Sequence, residues 1–339
     1  MPRRLRFGLW YDFRNPPRWH QDPTRLYRGI VDQCVRAEAL GWDDVWLSEH
    51  HFIDDGYTPS MLPLACAIAA RTRTIQIGTS VLLLPLHDPL RVAEDAATVD
   101  VMSGGRFQLG VAGGYRKGEF TGFGIPSSER AARMNEALPI LRRLFAGERV
   151  TTADARFYRY TDVDLRPLPV QKPMKLWVGG FSEPAVRRAA RLGDAYISTG
   201  PIAPLAAIYR DELGRLGKDP DAHEIASGIT WLLVSRDPER RWREAEAHFL
   251  YQINLYAQWF GEAGMQIAAV AKSRADLASR GAMIVSPEQA IEAIRSYAAA
   301  QPITRFYGWT LPPGLPPEWV DEHLELFARE VIPQVRTVA

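Results

Sequence analysis

The chain has 339 residues, long enough for a large core and, on length alone, for one or two domains. Its hydrophobic content of 46% and charged content of 24% are ordinary for a globular protein. The 41 basic and 40 acidic residues are spread along the chain and leave a formal net charge of +1, so no long-range field gathers nucleic acid or anionic lipid, and neither partner is expected.

Strand and helix patterns alternate from one end to the other. A strand at residues 6–11 leads to a helix around 24–40, whose Leu26, Ile30, Val31, Cys34, Val35 and Leu40 share roughly one face. The next pairs are 45–48 with 60–71, then 75–83 with 89–102. A fourth strand at 106–112 is separated by a glycine-rich loop from a helix at 129–145, and residues 150–165 alternate as a small inserted hairpin would. Pro167, Pro169 and Pro173 interrupt regular structure before a fifth strand at 175–178 with a helix at 183–192. A sixth strand at 195–198 has its helix at 204–216, and the seventh strand spans 225–234. Residues 239–280 read as a long, aromatic-rich helical segment, the seventh helix plus an insertion; 286–299 is a helix with Ser286 as N-cap and Pro287 behind it. An eighth strand at 303–309 and a closing helix at 317–331 complete a count of about eight strand-helix units, which adds up to a TIM barrel in a single domain, residues 1–339, with insertions at about 113–127, 150–173 and 250–283. The turn after the first strand reads DFRNPPRW, without the GxGxxG of an open dinucleotide-binding sheet.

Cys34 and Cys66 lie inside apolar helical patterns without CxxC spacing, as reduced thiols of a cytoplasmic protein would. The N-terminus carries no apolar stretch of signal-peptide length. The apolar run at 80–86 falls far short of the roughly 20 residues of a membrane span.

In a TIM barrel the residues just after each strand are the functional candidates. The most telling is LGWDDVWLSEHHF, residues 40–52, where a strand runs straight into Glu49, His50 and His51. An acid beside two imidazoles suits proton chemistry near neutral pH, although two solvated histidines after a capped strand would read the same way. The other strand ends add Asp12, Phe13, Pro85, His87, Gly113, Gly114, Tyr115, Gly179, Gly180, Ser182, Thr199 and Trp309. Carboxylates and histidines are too few in this ring for a binuclear metallohydrolase, so no metal is expected. The glycines of GGFS, residues 179–182, lead into a helix and leave backbone amides open to a phosphate; a plain tight turn capped by Ser182 is the competing reading.

Three segments together, residues 40–52, 70–115 and 175–195, resemble the bacterial luciferase-like, flavin-dependent oxidoreductases, and the likeness covers most of the chain, weakest over 251–283. The resemblance implies a flavin or deazaflavin across the barrel mouth, with His50 as proton donor or acceptor and Glu49 as its polar neighbour. It implies a cis peptide between Ser80 and Val81 behind the ring, and a phosphate over Gly179, Gly180, Phe181 and Ser182 with help from Gly113, Gly114 and Tyr115. This chain departs from the family at Ala112, which replaces the reactive thiol of the luciferases, at Gly113, which replaces a phosphate-gripping arginine, and at Phe181, which replaces an acid. The activity implied is monooxygenation of a small apolar or aromatic substrate by O2 and reduced FMN, delivered by a separate NAD(P)H:flavin reductase to a homodimeric enzyme. Trp10 and Trp309 would line the substrate pocket, beneath a lid of Tyr251, Tyr256, Trp259 and Phe260. Hydride transfer by coenzyme F420 and non-catalytic flavin binding are the alternatives on the same barrel, and metal-dependent hydrolysis is the weakest.

Overall fold

Eight short buried runs form parallel strands that close on one another: β1 Arg6–Tyr11, β2 Asp44–Leu47, β3 Gln76–Thr79, β4 Phe107–Ala112, β5 Leu176–Gly179, β6 Ala195–Ile197, β7 Glu224–Ala226 and β8 Arg305–Trp309. This computed structural model describes residues 3–265 and 269–338. Each strand pairs with the next, and β8 returns to β1 in the register Phe306 with Phe7 and Trp309 with Trp10. Parallel neighbours need a crossover, so helices cover the outside and the strands are apolar on both faces. The result is a TIM barrel, as expected.

The outer layer comprises α1 Pro23–Leu40, α2 Met61–Arg71, α3 Pro89–Ser103, α4 Lys117–Gly122, α5 Arg130–Phe145 and α6 Glu183–Leu192. It continues with α7 Ala203–Arg215, α8 Pro238–Glu262, α9 Arg274–Ser279, α10 Pro287–Ala300 and α11 Asp321–Leu326. Local chemistry sets several of these ends. Asp22 caps α1 by accepting from the Thr24 and Arg25 amides, Pro23 opens the first turn, and Gly41 stops the helix at φ +88°. Asp88, Pro89 and Gly104 repeat the arrangement on α3.

Inside the barrel, Trp46 stands edge-on to Trp177 with ring centres 5.6 Å apart and lies 5.6 Å from Tyr307. The neighbouring strands make room for it with glycine: a Cβ on Gly78 would sit 2.3 Å from the Trp46 ring, and one on Gly8 2.9 Å from it. Below this plug the buried Arg305 is held by Asp44 and Glu224, which closes the amino-terminal end of the barrel with paired charges.

Four expectations change. The strand at 75–83 breaks after Thr79, at a Ser80–Val81 peptide that is cis as the resemblance implies, and Leu82–Leu83 then resumes pairing with β4. The seventh strand, expected over 225–234, divides: β7 ends at Ala226, and Trp231–Val234 leaves the barrel to pair in parallel with Ala282–Val285. The step between them runs against β8 so closely that a Cβ on Gly228 would lie 2.1 Å from the Tyr307 carbonyl oxygen. The hairpin expected at 150–165 reduces to one antiparallel bridge, Val150 with Val163. The closing helix at 317–331 is broken into short helical turns around α11. Of the expected insertion at 250–283, residues 250–262 belong to α8, and 266–268 lie outside the described residues. Cys34 and Cys66 are both free thiols, and no helix among the described residues is long and apolar enough to cross a membrane.

Candidate active site

The carboxyl ends of the strands carry the polar groups, and strand alternation decides which way each one faces. Trp46 points into the barrel; keeping its side, Ser48 and His50 face the mouth, while Glu49 and His51 turn to the outer layer. The His50 ring is buried beside Tyr57, Tyr115 and Trp259, with ring centres 4.7, 5.7 and 4.9 Å away. Its Nδ1–H donates to Glu119 Oε1 at 2.7 Å, which leaves Nε2 3.5 Å from the Tyr115 hydroxyl.

Glu119 is the residue the sequence reading missed. It lies on the six-residue α4, which folds back over the histidine turn, and it is fully buried. One oxygen, Oε1, also accepts the His51 amide at 3.0 Å and Arg116 Nη1 at 3.1 Å. The Arg116 guanidinium stacks 4.4 Å above the Trp259 ring and holds the His51 carbonyl. Burial pushes the Glu119 carboxyl up, but these donors outweigh it and hold the group below its usual range. For His50, burial outweighs Glu119 and lowers the imidazole below its ordinary value. With Nδ1–H held by Glu119, Nε2 is the ring nitrogen turned to the mouth, toward the Tyr115 hydroxyl.

Glu49 does not join His50. Its Oε1 accepts from His51 Nε2 and from His87 Nε2, each at 2.6 Å, and its Oε2 accepts the Leu83 amide at 2.8 Å. Burial alone would raise the Glu49 carboxyl; the two imidazoles bring it down to about 2. The acid and imidazole expected to act together thus belong to two separate clusters, one at the mouth and one outside the wall.

A second polar group at the mouth was also missed. Arg14, just past β1, is buried and donates through Nε to Asp55 Oδ2 at 2.7 Å, with Nη2 2.6 Å from the same oxygen. Asp55 further accepts the Tyr251 hydroxyl at 2.8 Å and the Tyr57 amide at 3.1 Å, and Tyr57 shares a 2.9 Å hydrogen bond with Tyr256. Tyr251 and Tyr256 sit on α8, so these bonds tie α8 across the barrel mouth. Trp259 and Tyr256 of α8 cover His50, Tyr57 and Trp309, while Phe260 lies 5.1 Å from the Tyr115 ring. Trp10 and Trp309 stack at 3.6 Å beneath this roof, both buried.

The shelf opposite His50 begins at Ser80, whose Oγ lies 3.0 Å from the Tyr307 hydroxyl; that hydroxyl donates to the Ser198 carbonyl at 2.8 Å. Ser198 Oγ is buried without a hydrogen-bond partner among the described residues. Along the rim, a Cβ on Gly113 would meet only Met134, at 3.8 Å. The Gly180 backbone lies tight against α6, where a Cβ would fall 2.4 Å from the Ala185 Cβ. Ser182 is the N-cap of α6, yet its side chain makes no capping bond, and it and Phe181 are exposed. Backbone amides at a helix N-terminus can take an anion.

Comparison with known proteins agrees with this architecture. The family described as luciferase-like monooxygenase matches residues 5–302. An F420-dependent glucose-6-phosphate dehydrogenase of Microbacterium testaceum is 37% identical over 190 residues, 54% of this chain and 55% of that protein. A 4-hydroxyprotoasukamycin monooxygenase of Streptomyces nodosus subsp. asukaensis is 28% identical over 350 aligned positions, 98% of this chain and 92% of that one. For the first curated relatives the match spans little more than half of their length, 59% and 55%. A monooxygenase from Streptomyces bottropensis shares the fold with a TM-score of 0.85 at 22% identity, covering 97% of this chain and 99% of that one.

Proposed function

This chain belongs to the luciferase-like monooxygenase family, and on that premise we propose that it oxygenates a small apolar or aromatic substrate with O2 and reduced FMN supplied by a separate NAD(P)H-dependent reductase. The observation that carries the reading is His50, held by Glu119 under a roof of aromatic side chains, a proton-handling group in a water-poor mouth. The full-length likeness to a named monooxygenase supports it.

The residues present fit such a cofactor: Ser80 and Val81 would form the shelf for the ring, Ser198 offers an unpartnered hydroxyl, and Gly113, Gly114, Tyr115, Gly179, Gly180 and Ser182 would hold the phosphate arm. Bound and reduced, a flavin supplies the two electrons that activate O2. The chain's own groups do the rest. His50 Nε2 accepts or returns a proton at the mouth, Glu119 keeps the Nδ1–H tautomer, Tyr115 faces that lone pair, and Trp259 with Tyr256 excludes water. The apolar lining of Trp10, Trp309, Trp259 and Phe260 suits a substrate of low polarity. A homodimer and a cytoplasmic location belong to the same reading.

A second reading, hydride transfer by coenzyme F420, is supported by the relatives named as F420-dependent dehydrogenases. Titrating purified protein with FMN and with coenzyme F420, then following O2 uptake after reduction in the presence of a panel of phenols and ketones, separates the two. The oxygenase reading expects FMN binding and substrate-dependent O2 uptake that His50→Ala abolishes. Tight binding of coenzyme F420 with negligible binding of FMN overturns it.

A further inference from the structure

We infer that Glu49, His51 and His87 form a binding site for one divalent transition-metal ion of zinc-like ligand preference, on the outer side of the barrel wall. Each residue offers one ligand atom, and all three atoms lie within 4.8 Å of one another. Two imidazoles and a carboxylate are a donor set that zinc takes when its fourth position is left to water. The carboxylate is aimed: the Leu83 amide occupies Oε2, which turns Oε1 toward the two Nε2 atoms, each 2.6 Å away. Orientation of a ligand by a neighbouring hydrogen bond is a recurrent property of metal sites.

The second observation is access. A cavity of about 470 Å³ opens beside Glu49 and His87, with Cys66, Asp88 and Asp95 on its walls, and the His87 side chain is 30% exposed. An ion therefore has an entry path, and the cavity has room for the water that completes its coordination. The backbone beneath the ligands is also fixed, since Glu49 and His51 follow directly on β2 and His87 closes the turn that leads into α3.

In the metal-free arrangement both Nε2 atoms carry a proton that points at the same oxygen. Binding puts the ion in place of those two Nε2 protons, each ring ligating as a neutral imidazole that carries its proton on Nδ1, while the three ligand atoms spread to about 2.0–2.2 Å from the metal. The ion would clamp the 49–51 turn to the 83–87 segment. The His51 amide holds Glu119, and Glu119 holds His50, so occupancy bears on the mouth through two hydrogen bonds. The site stands independently of which redox cofactor the barrel takes.

Protein stripped with a chelator and titrated with zinc sulfate by calorimetry tests this, with metal content by mass spectrometry after desalting. Cobalt(II) serves as the optical probe for nitrogen and oxygen ligation. One equivalent of zinc should bind, the melting temperature should rise with zinc, and His87→Ala should weaken binding by at least about tenfold. His87→Asn, which keeps the volume and a hydrogen-bond donor, guards against a folding defect and should lose the zinc response while keeping the metal-free melting temperature. His20→Ala is the control for surface imidazoles and should change nothing. Binding below one equivalent, equal binding by the His87 variants, or a melting temperature insensitive to zinc overturns the assignment.

Discussion

Asp55→Asn isolates what the buried ion pair at the mouth contributes, because it removes a charge while keeping shape. Both side chains of the pair are fully buried, and Asp55 Oδ2 alone accepts from Arg14 Nε and the Tyr251 hydroxyl and is ion-paired with Arg14 Nη2. Neutralising it leaves the Arg14 guanidinium facing only Asp12, whose nearest oxygen is 3.8 Å from Nη1, too far for a hydrogen bond. An uncompensated buried charge of this kind costs about 3 to 5 kcal/mol. For 339 residues the unfolding entropy is about 0.7 kcal/mol/K, so the melting temperature should fall by about 4 to 7 °C. Calorimetry or near-ultraviolet circular dichroism at pH 8 measures it. The double variant Arg14→Met/Asp55→Asn should recover part of the loss, since the stranded charge is gone and methionine can fill among Tyr57, Tyr251 and Trp259. A shift for Asp55→Asn of less than about 1 °C, or a double variant that loses the sum of the two single effects, would refute the reasoning that the pair is desolvated and mutually dependent.

Three further outcomes are expected. Glu119→Gln keeps an oxygen for His50 Nδ1–H but loses the charge assistance, and should lower substrate-dependent O2 uptake about tenfold with cofactor affinity unchanged; undiminished turnover would show that His50 needs no anionic partner. Gly78→Ala places a Cβ 2.3 Å from the Trp46 ring and should cost about 1 to 3 kcal/mol or more, read as a lower melting temperature with a shifted tryptophan spectrum; a neutral result would mean that the barrel interior yields. Burial pushes the Asp12 carboxyl up to about 7, against the opposing pull of Arg14. The folded chain therefore holds a proton that the unfolded chain releases near pH 4, and this group's contribution to stability is lost as pH rises through about 7. Asp12→Asn should flatten the fall of melting temperature between pH 4 and 8 for that reason, and parallel curves for the two proteins would count against a buried, protonated Asp12.

The barrel was legible because strands buried on both faces read as short continuous apolar runs, and His50 was legible because β2 runs straight into it. Its partner was not, since Glu119 reaches it only after α4 folds back over the turn, a contact between residues 69 positions apart. The outward turn of Glu49 and His51 was readable in principle: carrying the strand's alternation four residues beyond β2 puts them on the side opposite Trp46 and His50. The strand Ala282–Val285 hid behind a four-residue length and a helical, aromatic neighbourhood, and the division after Ala226 depends on how closely Gly228 can lie against Tyr307. Nothing in the turn DFRNPPRW singles out Arg14; the meeting of β1, the turn at Asp55 and α8 is what buries it.

The tryptophan wedged between Gly8 and Gly78 sets a depth limit. With Trp46, Trp177 and Tyr307 filling the bore, nothing bound at the rim can sink further toward the far end, however the surrounding loops change. Room for a bulkier or longer guest has to be found upward, by lifting or trimming the Tyr256, Trp259 and Phe260 face of α8. Changes of selectivity in this protein should therefore map to that helix and its tethers and to Trp10 and Trp309 beneath it, and spare the deeper strand positions.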